Sequence, residues 1–503
     1  MKDSQKQKKW QILWWAVFFL ALINCFVNLG KFEVEIWDES RHALNAYEMM
    51  KSGSLIAMTY DGSLDYWNLK PPLGAWLIIM GYKLLGVNLW GLRFFSALSA
   101  FLTILLTMSI AKTYGKNVSI TAGAILTTMY SFLAFHTGRY GDYDALLAFF
   151  VAVTAWGLLK WDNNHRWGLW VASLMVSLSF LLKSFAAIIP FLMIGVTIAT
   201  EKRYKKLTIL DSIFSLLLMG VPPLIWAIAR YQVDGLAFFQ HMIGYDLLKR
   251  SQQAIEGHPE SNLHYLEPIF FKTLPWSLLL FFVVPFLGFG ISLKRKEKLW
   301  EIHARHSGFG PSLFWIWLIV PLFVAFLVKT KSDWYLNPFY PPLAIFIAWH
   351  IWNGKTSQQW VKKLLNKKKK LLIGMTLTAE ILFALLVLFP SEWVFDTKIR
   401  YYPGYQRLLQ EFATNTQRSS EGVVYTADFI EQDFRFLVKA MIGYELKGIE
   451  SIREASPGMK VIVCSQNRRA DIEKMYPDIR LRQLAENRGW VLLTVEETNP
   501  ESL

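Results

Sequence analysis

Cysteine is nearly absent. Two in 503 residues, Cys25 and Cys464, exclude a disulfide framework and a cysteine-based metal site. Charge is scarce as well. Asp, Glu, Lys and Arg supply 18% of the chain against 53% apolar and 16% aromatic residues, too little for a soluble protein of this length. The tail, residues 391–503, holds no glycine-rich nucleotide-binding loop. Nor does the chain hold an internal repeat of the kind that marks many secondary transporters. No small-residue cleavage pattern follows the first apolar stretch, "QILWWAVFFLALINCFV", so it reads as an uncleaved first span.

What is present is length in apolar runs. Mean hydropathy is +0.27, and runs of about 17–22 residues, enough to cross a bilayer, recur over the first 390 positions. They are continuous rather than alternating, which selects helices over a barrel. Eleven spans are expected: 11–29, 90–111, 118–136, 143–160, 167–182, 184–200, 208–229, 275–293, 312–328, 338–353 and 371–389. Residues 73–86, "LGAWLIIMGYKLLG", are too short and interrupted for a span and read as an amphipathic interfacial helix.

The net charge of +14 follows this topology. Lys and Arg concentrate in "KDSQKQKK", "KTYGKN", "KWDNNHR", "EKRYKK", "KRKEKLWEIHAR" and "KTSQQWVKKLLNKKKK", which fall on one side of the alternation. The positive-inside rule makes that side cytoplasmic, with the N-terminus. The charge therefore needs no nucleic-acid partner. Outside lie 30–89, 137–142, the turn near 183, 230–274, 329–337 and the tail 391–503. The tail changes character: "GVVYTADF", "KVIVCS" and "GWVLLTV" read as strands, "IEQDFRFLVKAMIG" and "NRRADIEKMY" as helices. The expected architecture is an all-α polytopic membrane domain, 1–390, followed by a small extracytoplasmic α/β domain, 391–503.

The outer segments collect the ionisable groups. "EVEIWDESRHALNAYEMMKSG" at 33–53 holds Asp38, Glu39, Arg41 and His42 where the first span ends. Carboxylates can act as a general base on an incoming hydroxyl or amine. Lys and Arg can hold a phosphate and stabilise its charge as it leaves. One carboxylate with several cations suits group transfer from a phosphate-linked donor. Outside a cell, a lipid-linked donor fits better than a nucleotide sugar.

Several segments then match a known pattern in order. These are Asp38-Glu39 with Arg41, "KPPLGAW" at 70–76, Arg93, "GRYGDYDALLAFF" at 138–150, "FLLKS" at 180–184, "GHPESNLHYLEPIFFKTLPW" at 257–276 and "KSDWYLNPFYPPLA" at 331–344. The set resembles membrane glycosyltransferases of the GT-C fold, specifically the aminoarabinose-transferase and protein mannosyltransferase relatives, from about residue 10 to 350. Two positions depart from it: Ser184 stands where a Gly follows the turn lysine, and Leu69 where aminoarabinose-type relatives often carry Glu.

The resemblance implies inverting transfer of a sugar from a polyprenyl phosphate to a glycolipid, polysaccharide or protein acceptor, in a bacterial inner membrane. Asp38 is the implied base or acceptor-orienting carboxylate, with Asp144 as second acidic position and Glu39 in support. Asp142 competes with Asp144, since either also suits a helix N-terminus. Lys70, Lys183, Arg41 and Arg250 are the implied phosphate-binding cations. Arg139, His258, His264, Tyr265, Lys331 and Tyr335 are candidate substrate contacts on the loops. No cofactor is required. His258 and His264, with Glu256, Glu260 and Glu267, lack a recognisable metal-ligand spacing. Two rival readings remain: a transporter or lipid flippase, which would place charges within the spans, and a scaffold that uses the tail to bind a partner.

Overall fold

The computed structural model describes the chain except residues 1, 32, 135, 163, 201–206, 255–260, 281–310, 354–366, 389–403, 416–421, 427–431 and 499–503. The expected domain boundary at 390, the second half of the span expected at 275–293, and His258 with Glu256 and Glu260 lie outside the described residues.

Helix α1 (Lys2–Phe26) leads into a loop and then α2 (Asp38–Ser52), which carries acids in its first turn and Lys51 in its last, the arrangement the helix dipole favours. Gly53, at φ 75°, ends α2 and returns its N–H to the Met49 carbonyl. A short hairpin, β1 (Thr59–Tyr60) and β2 (Ser63–Leu64), precedes α3 (Leu73–Leu85), the helix expected at the interface. Next come α4 (Leu89–Ala111), α5 (Lys116–Thr127), α6 (Asp144–Asp162), α7 (Trp167–Lys183), α8 (Ile188–Thr200) and α9 (Ile209–Asp234). After them follow α10 (Pro311–Leu327), α11 (Tyr340–Asn353) and α12 (Lys368–Phe383).

Among the described residues, six helical stretches have the length and apolarity to cross a membrane: 7–26, 89–114, 144–162, 167–200, 209–234 and 369–388. The chain is a multi-pass membrane protein. Four expected spans take a different form. Those at 167–182 and 184–200 are one continuous 34-residue stretch bent at Ser184. The stretch at 118–136 stops at Thr127, and a short turn at 130–133 follows. Helix α11 has 14 residues.

α3 lies against α4 at very close range. A Cβ on Gly81 would sit 2.1 Å from the Gly91 carbonyl oxygen, so only glycine permits the approach that sets Arg93, two residues on, against the first loop.

The C-terminal region combines α13 (Gly404–Asn415) and α14 (Gln466–Met475) with a five-stranded sheet of order β4-β3-β5-β7-β6. β3 (Val423–Thr426) runs parallel to β4 (Glu445–Gly448) and β5 (Lys460–Val463). β7 (Trp490–Thr498) is antiparallel to β5 and to β6 (Ile479–Asn487). The expected strands and helices appear here, joined by α13, β4 and β6. One face of this region, with Tyr405, Leu408, Phe434, Phe436 and Leu492, is continuous with the core of the membrane helices. The other face closes separately around Tyr425, Val461, Ile472 and Leu493.

Candidate active site

α2 sends its first two acids to different places. Glu39 is buried and accepts four hydrogen bonds: Arg93 Nε at 2.6 Å, Arg93 Nη2 at 2.9 Å, Gly141 N at 2.6 Å and Glu35 N at 2.9 Å. Arg93 also donates to the Leu29 and Glu33 carbonyls. Glu39 is thus a knot tying α2 to α4 and to the loop before α6. A carboxylate so fully satisfied has no lone pair to offer a substrate, so it positions rather than transfers protons.

Arg41, expected near Asp38 or a phosphate, is instead committed to Asp65. Its Nε and Nη2 meet the two Asp65 oxygens at 2.9 and 2.7 Å, and its guanidinium lies over the Tyr60 and Trp67 rings. Asn45 and the Trp67 and Asn68 amides complete the shell of Asp65. Burial would raise that carboxyl, but Arg41 and Asn45 hold it below its usual range. The hairpin supplies a fork-shaped match that an i,i+3 neighbour on α2 does not.

The centre of the cluster is an imidazole. His136 lies in the loop after the 130–133 turn, at φ 57°, a left-handed conformation uncommon outside glycine. Its Nδ1 is 2.6 Å from Asp142 and its Nε2 3.2 Å from Glu35. Trp334 stacks on it at 3.9 Å. With a carboxylate at each nitrogen, both nitrogens must donate, so the ring is an imidazolium. Burial works against that charge, yet the Glu35 and Asp142 carboxylates push its pKa well above the ordinary histidine value. Asp142 also accepts from the Tyr143 amide at 2.7 Å, and its pKa is held far down despite burial, His136 being the main cause.

His42 behaves oppositely. It stacks on Tyr143 at 4.0 Å, and its Nε2 lies 3.3 Å from the Lys70 ammonium, which must be the donor. Burial and then the Lys70 charge push His42 down to about 4, so it is neutral near pH 7. Lys70 is thereby fixed between His42 and the Asn68 side chain.

Asp38 stands among these groups, with a carboxylate oxygen within 4.8 Å of ligating atoms on His136 and Asp142. It is half-buried and, among the described residues, has no hydrogen bond or ion pair. Burial opposes its charge, but Lys70 first, then His42 and His136, hold it ionised, below the ordinary carboxylate range. Asp38, His136 and Asp142 are the one described grouping of three close enough to share a metal ion. His136 already engages a carboxylate through each nitrogen, so neither ring nitrogen has a lone pair to offer a metal.

Lys183 and Asp144 form a second, adjoining unit. The ammonium meets both Asp144 oxygens, at 2.7 and 2.6 Å, and sits over the Tyr335 ring. Tyr335 Oη accepts from Arg250 Nη1 at 3.2 Å. Lys183, Tyr335 and Arg250 therefore converge from three distant segments, with Asp144 paired beneath them.

The remaining loop candidates have internal partners. Arg139 donates to the Asn24 and Val27 carbonyls at 2.7 Å, closing the C-terminal end of α1. Lys331 donates to the Ala325, Phe326 and Val328 carbonyls at the end of α10, a cap in the dipole's favoured sense. Tyr265 is buried against Phe326 and under Lys331. His264 contacts Asp333 at 2.7 Å. Leu69 packs in an apolar cluster with Leu181, Trp226, Phe238 and Met242.

Sequence reasoning missed Glu35, His136 and Asp65, and gave His42 no role. His42 carried a signal, being one helical turn beyond Asp38. The others depend on loop geometry.

A family profile described as dolichyl-phosphate-mannose-protein mannosyltransferase matches residues 69–226. The undecaprenyl phosphate-alpha-4-amino-4-deoxy-L-arabinose arabinosyl transferase 2 of Pseudomonas fluorescens (strain Pf0-1) is 26% identical over 375 residues, covering 73% of this chain and 64% of that protein. The corresponding transferase of Pseudomonas savastanoi pv. phaseolicola is 28% identical over 339 residues, covering 66% and 59%. The matches thus span less than two thirds of these curated relatives. The crystal structure of ArnT from Cupriavidus metallidurans bound to undecaprenyl phosphate superposes with a TM-score of 0.66 at 16% identity, over 96% of this chain and 98% of that one.

Fold and helix arrangement define a polytopic membrane protein of the GT-C fold. Within that class the chain is aminoarabinose-transferase- and mannosyltransferase-like.

Proposed function

We propose that this protein transfers a sugar from a polyprenyl-phosphate donor to a nucleophilic acceptor at the outer face of the membrane, with inversion. The observation that carries the reading is the state of Asp38. It is ionised, half-buried and unpartnered among the described residues, while Glu39, Asp65, Asp142 and Asp144 beside it are all engaged. Lys70, Lys183, Tyr335 and Arg250 supply the donors for a phosphate. The acceptor oxygen attacks the anomeric carbon, and the bond from that carbon to the phosphate oxygen breaks. The electron pair leaves with the phosphate, stabilised by the Lys70, Lys183 and Arg250 cations. The acceptor proton passes to Asp38. A carboxylate held this low is a weak base, so Asp38 orients the hydroxyl and takes its proton late, when the attacking oxygen has become positive.

Several features support the finer points. The Lys/Arg-rich loops favour an inside N-terminus. The C-terminal region packs on residues 33–61, which supports placing it on the Asp38 side of the membrane. The named relatives make undecaprenyl-phosphate-linked aminoarabinose the first donor to try, and a lipid A-type glycolipid the first acceptor. A buried Leu69 leaves room for a different sugar. The test is transfer by the purified protein from defined polyprenyl-phosphate sugars, in wild type and Asp38→Asn. We expect one sugar added by the wild type, and a loss of about 10²–10⁴-fold in the variant, with unchanged undecaprenyl phosphate binding. Full turnover by Asp38→Asn would remove Asp38 from the chemistry. Movement of the intact donor lipid across vesicles without covalent change would replace the transferase reading with transport.

A further inference from the structure

We infer that the C-terminal region is a working part of the active site, and that Gln406 on α13 is the residue through which it positions the Asp38 segment. This rests on the transferase reading above and deepens it.

Gln406 is fully buried and faces the Val34 peptide. Its Oε1 accepts from Val34 N at 3.0 Å and its Nε2 donates to Val34 O at 3.0 Å. The side-chain amide thus pairs with the main chain as a neighbouring strand would. Only a carboxamide supplies the donor and acceptor together. Its orientation is set from behind by Asp433, also fully buried, which accepts from Gln406 Nε2 and, at 2.7 Å, from Tyr405 Oη.

The residues on either side of Val34 belong to the site. The Glu33 carbonyl accepts from Arg93. The Glu35 amide donates to Glu39, and the Glu35 carboxylate holds His136. Residues 33–35 are therefore gripped by the membrane helices on one side and by Gln406 on the other, and α2 begins three residues later at Asp38. Outer contacts extend the same interface: Arg407 pairs with Glu33, and Arg435 and Lys439 with Asp61 at the hairpin tip. These are more exposed, and they orient rather than define. Without the clasp, the Val34 peptide loses both partners in a buried setting, and the segment holding Glu35 loosens. The His136 imidazolium then loses its fixed place beside Asp38.

The test uses the full-length protein in nanodiscs, with Gln406→Met, which keeps shape and removes both hydrogen bonds, and Asp433→Ala. Asp433→Asn, which keeps the acceptor oxygen, is the conservative rescue. In Gln406→Met we expect hydrogen exchange at residues 33–37 to rise about tenfold or more while the membrane helices keep theirs. We expect kcat to fall about tenfold or more, with KM for the donor within about twofold. Asp433→Ala should follow in the same direction, and Asp433→Asn should restore exchange and kcat toward wild type. Unchanged exchange and kcat in Gln406→Met would overturn the inference, as would an equal fall in kcat for Asp433→Asn and Asp433→Ala. If Gln406→Met does not fold, the Asp433 pair decides. If the wild type transfers no sugar from any donor, the transferase reading fails, and the exchange measurements alone decide whether the clasp holds the segment.

Discussion

Replacing His136 by Asn removes an imidazolium from between two buried carboxylates and keeps a residue that tolerates the left-handed backbone at φ 57°. The exposed fractions of the side chains are 5% for His136, 2% for Asp142 and 12% for Glu35. Water therefore cannot replace what is lost. Breaking a buried ion pair from one side costs about 3–5 kcal/mol, because the remaining charge stays unpaired. Asp142 keeps the Tyr143 amide, whereas Glu35 has one oxygen without a partner among the described residues even in the intact protein. The loss should fall toward the upper part of that range. The sign with pH follows from the raised histidine pKa. Its stabilisation is fully present below the unfolded value of about 6.5, persists through neutrality, and is lost as pH rises through the folded value. Thermal unfolding in detergent, followed by a thiol-reactive or intrinsic probe from about pH 6 to about pH 10, measures both effects. Wild type should lose stability on the alkaline side. The Asn variant should start lower and lose much less over the same window. Equal stabilities at neutral pH, or parallel alkaline slopes, would refute the reading of His136 as a buried cation.

Three further outcomes follow from the pairings. Lys183→Met leaves Asp144 buried and unpaired, so the double variant Lys183→Met/Asp144→Asn should be more stable than the single one, with a coupling of about 1–3 kcal/mol in a double-mutant cycle; both should bind undecaprenyl phosphate weakly in an equilibrium assay. Arg41→Lys keeps charge but loses the fork on Asp65, and should cost about 1–2 kcal/mol of stability while leaving donor affinity within about twofold; a large affinity loss would return Arg41 to the phosphate. Lys331→Met should lower thermal stability by uncapping α10, with kcat and KM for the donor changed less than about twofold.

Residue type was readable from the chain where a charge sits against an apolar background. Asp38, Lys70 and Lys183 stand out at the ends of greasy runs, and a charge there has few bland explanations. A helix starting near Ser40 and running to Lys51 was legible for the same local reasons, while its stop at Gly53 was not read. Partnership was not. Arg41 is near Asp38 by helical spacing, but its carboxylate comes from Asp65, 24 residues on, through a hairpin whose strands are two residues each. His136 acquires its charge only because a loop folds back in a left-handed turn and brings Asp142 and Glu35 to its two nitrogens. β6 was missed although "IRLRQ" alternates with Ile479 and Leu481 inward and Arg480 and Arg482 outward; arginine-rich edge strands hide behind their own charge. Gln406 meets Val34 across 372 residues, and no local pattern marks a glutamine as the partner of a peptide. Local signals identify which groups are costly to place at a membrane face, and tertiary structure decides which are satisfied. Both are needed, because Asp38 is set apart by the partners that its neighbours have and that it lacks among the described residues.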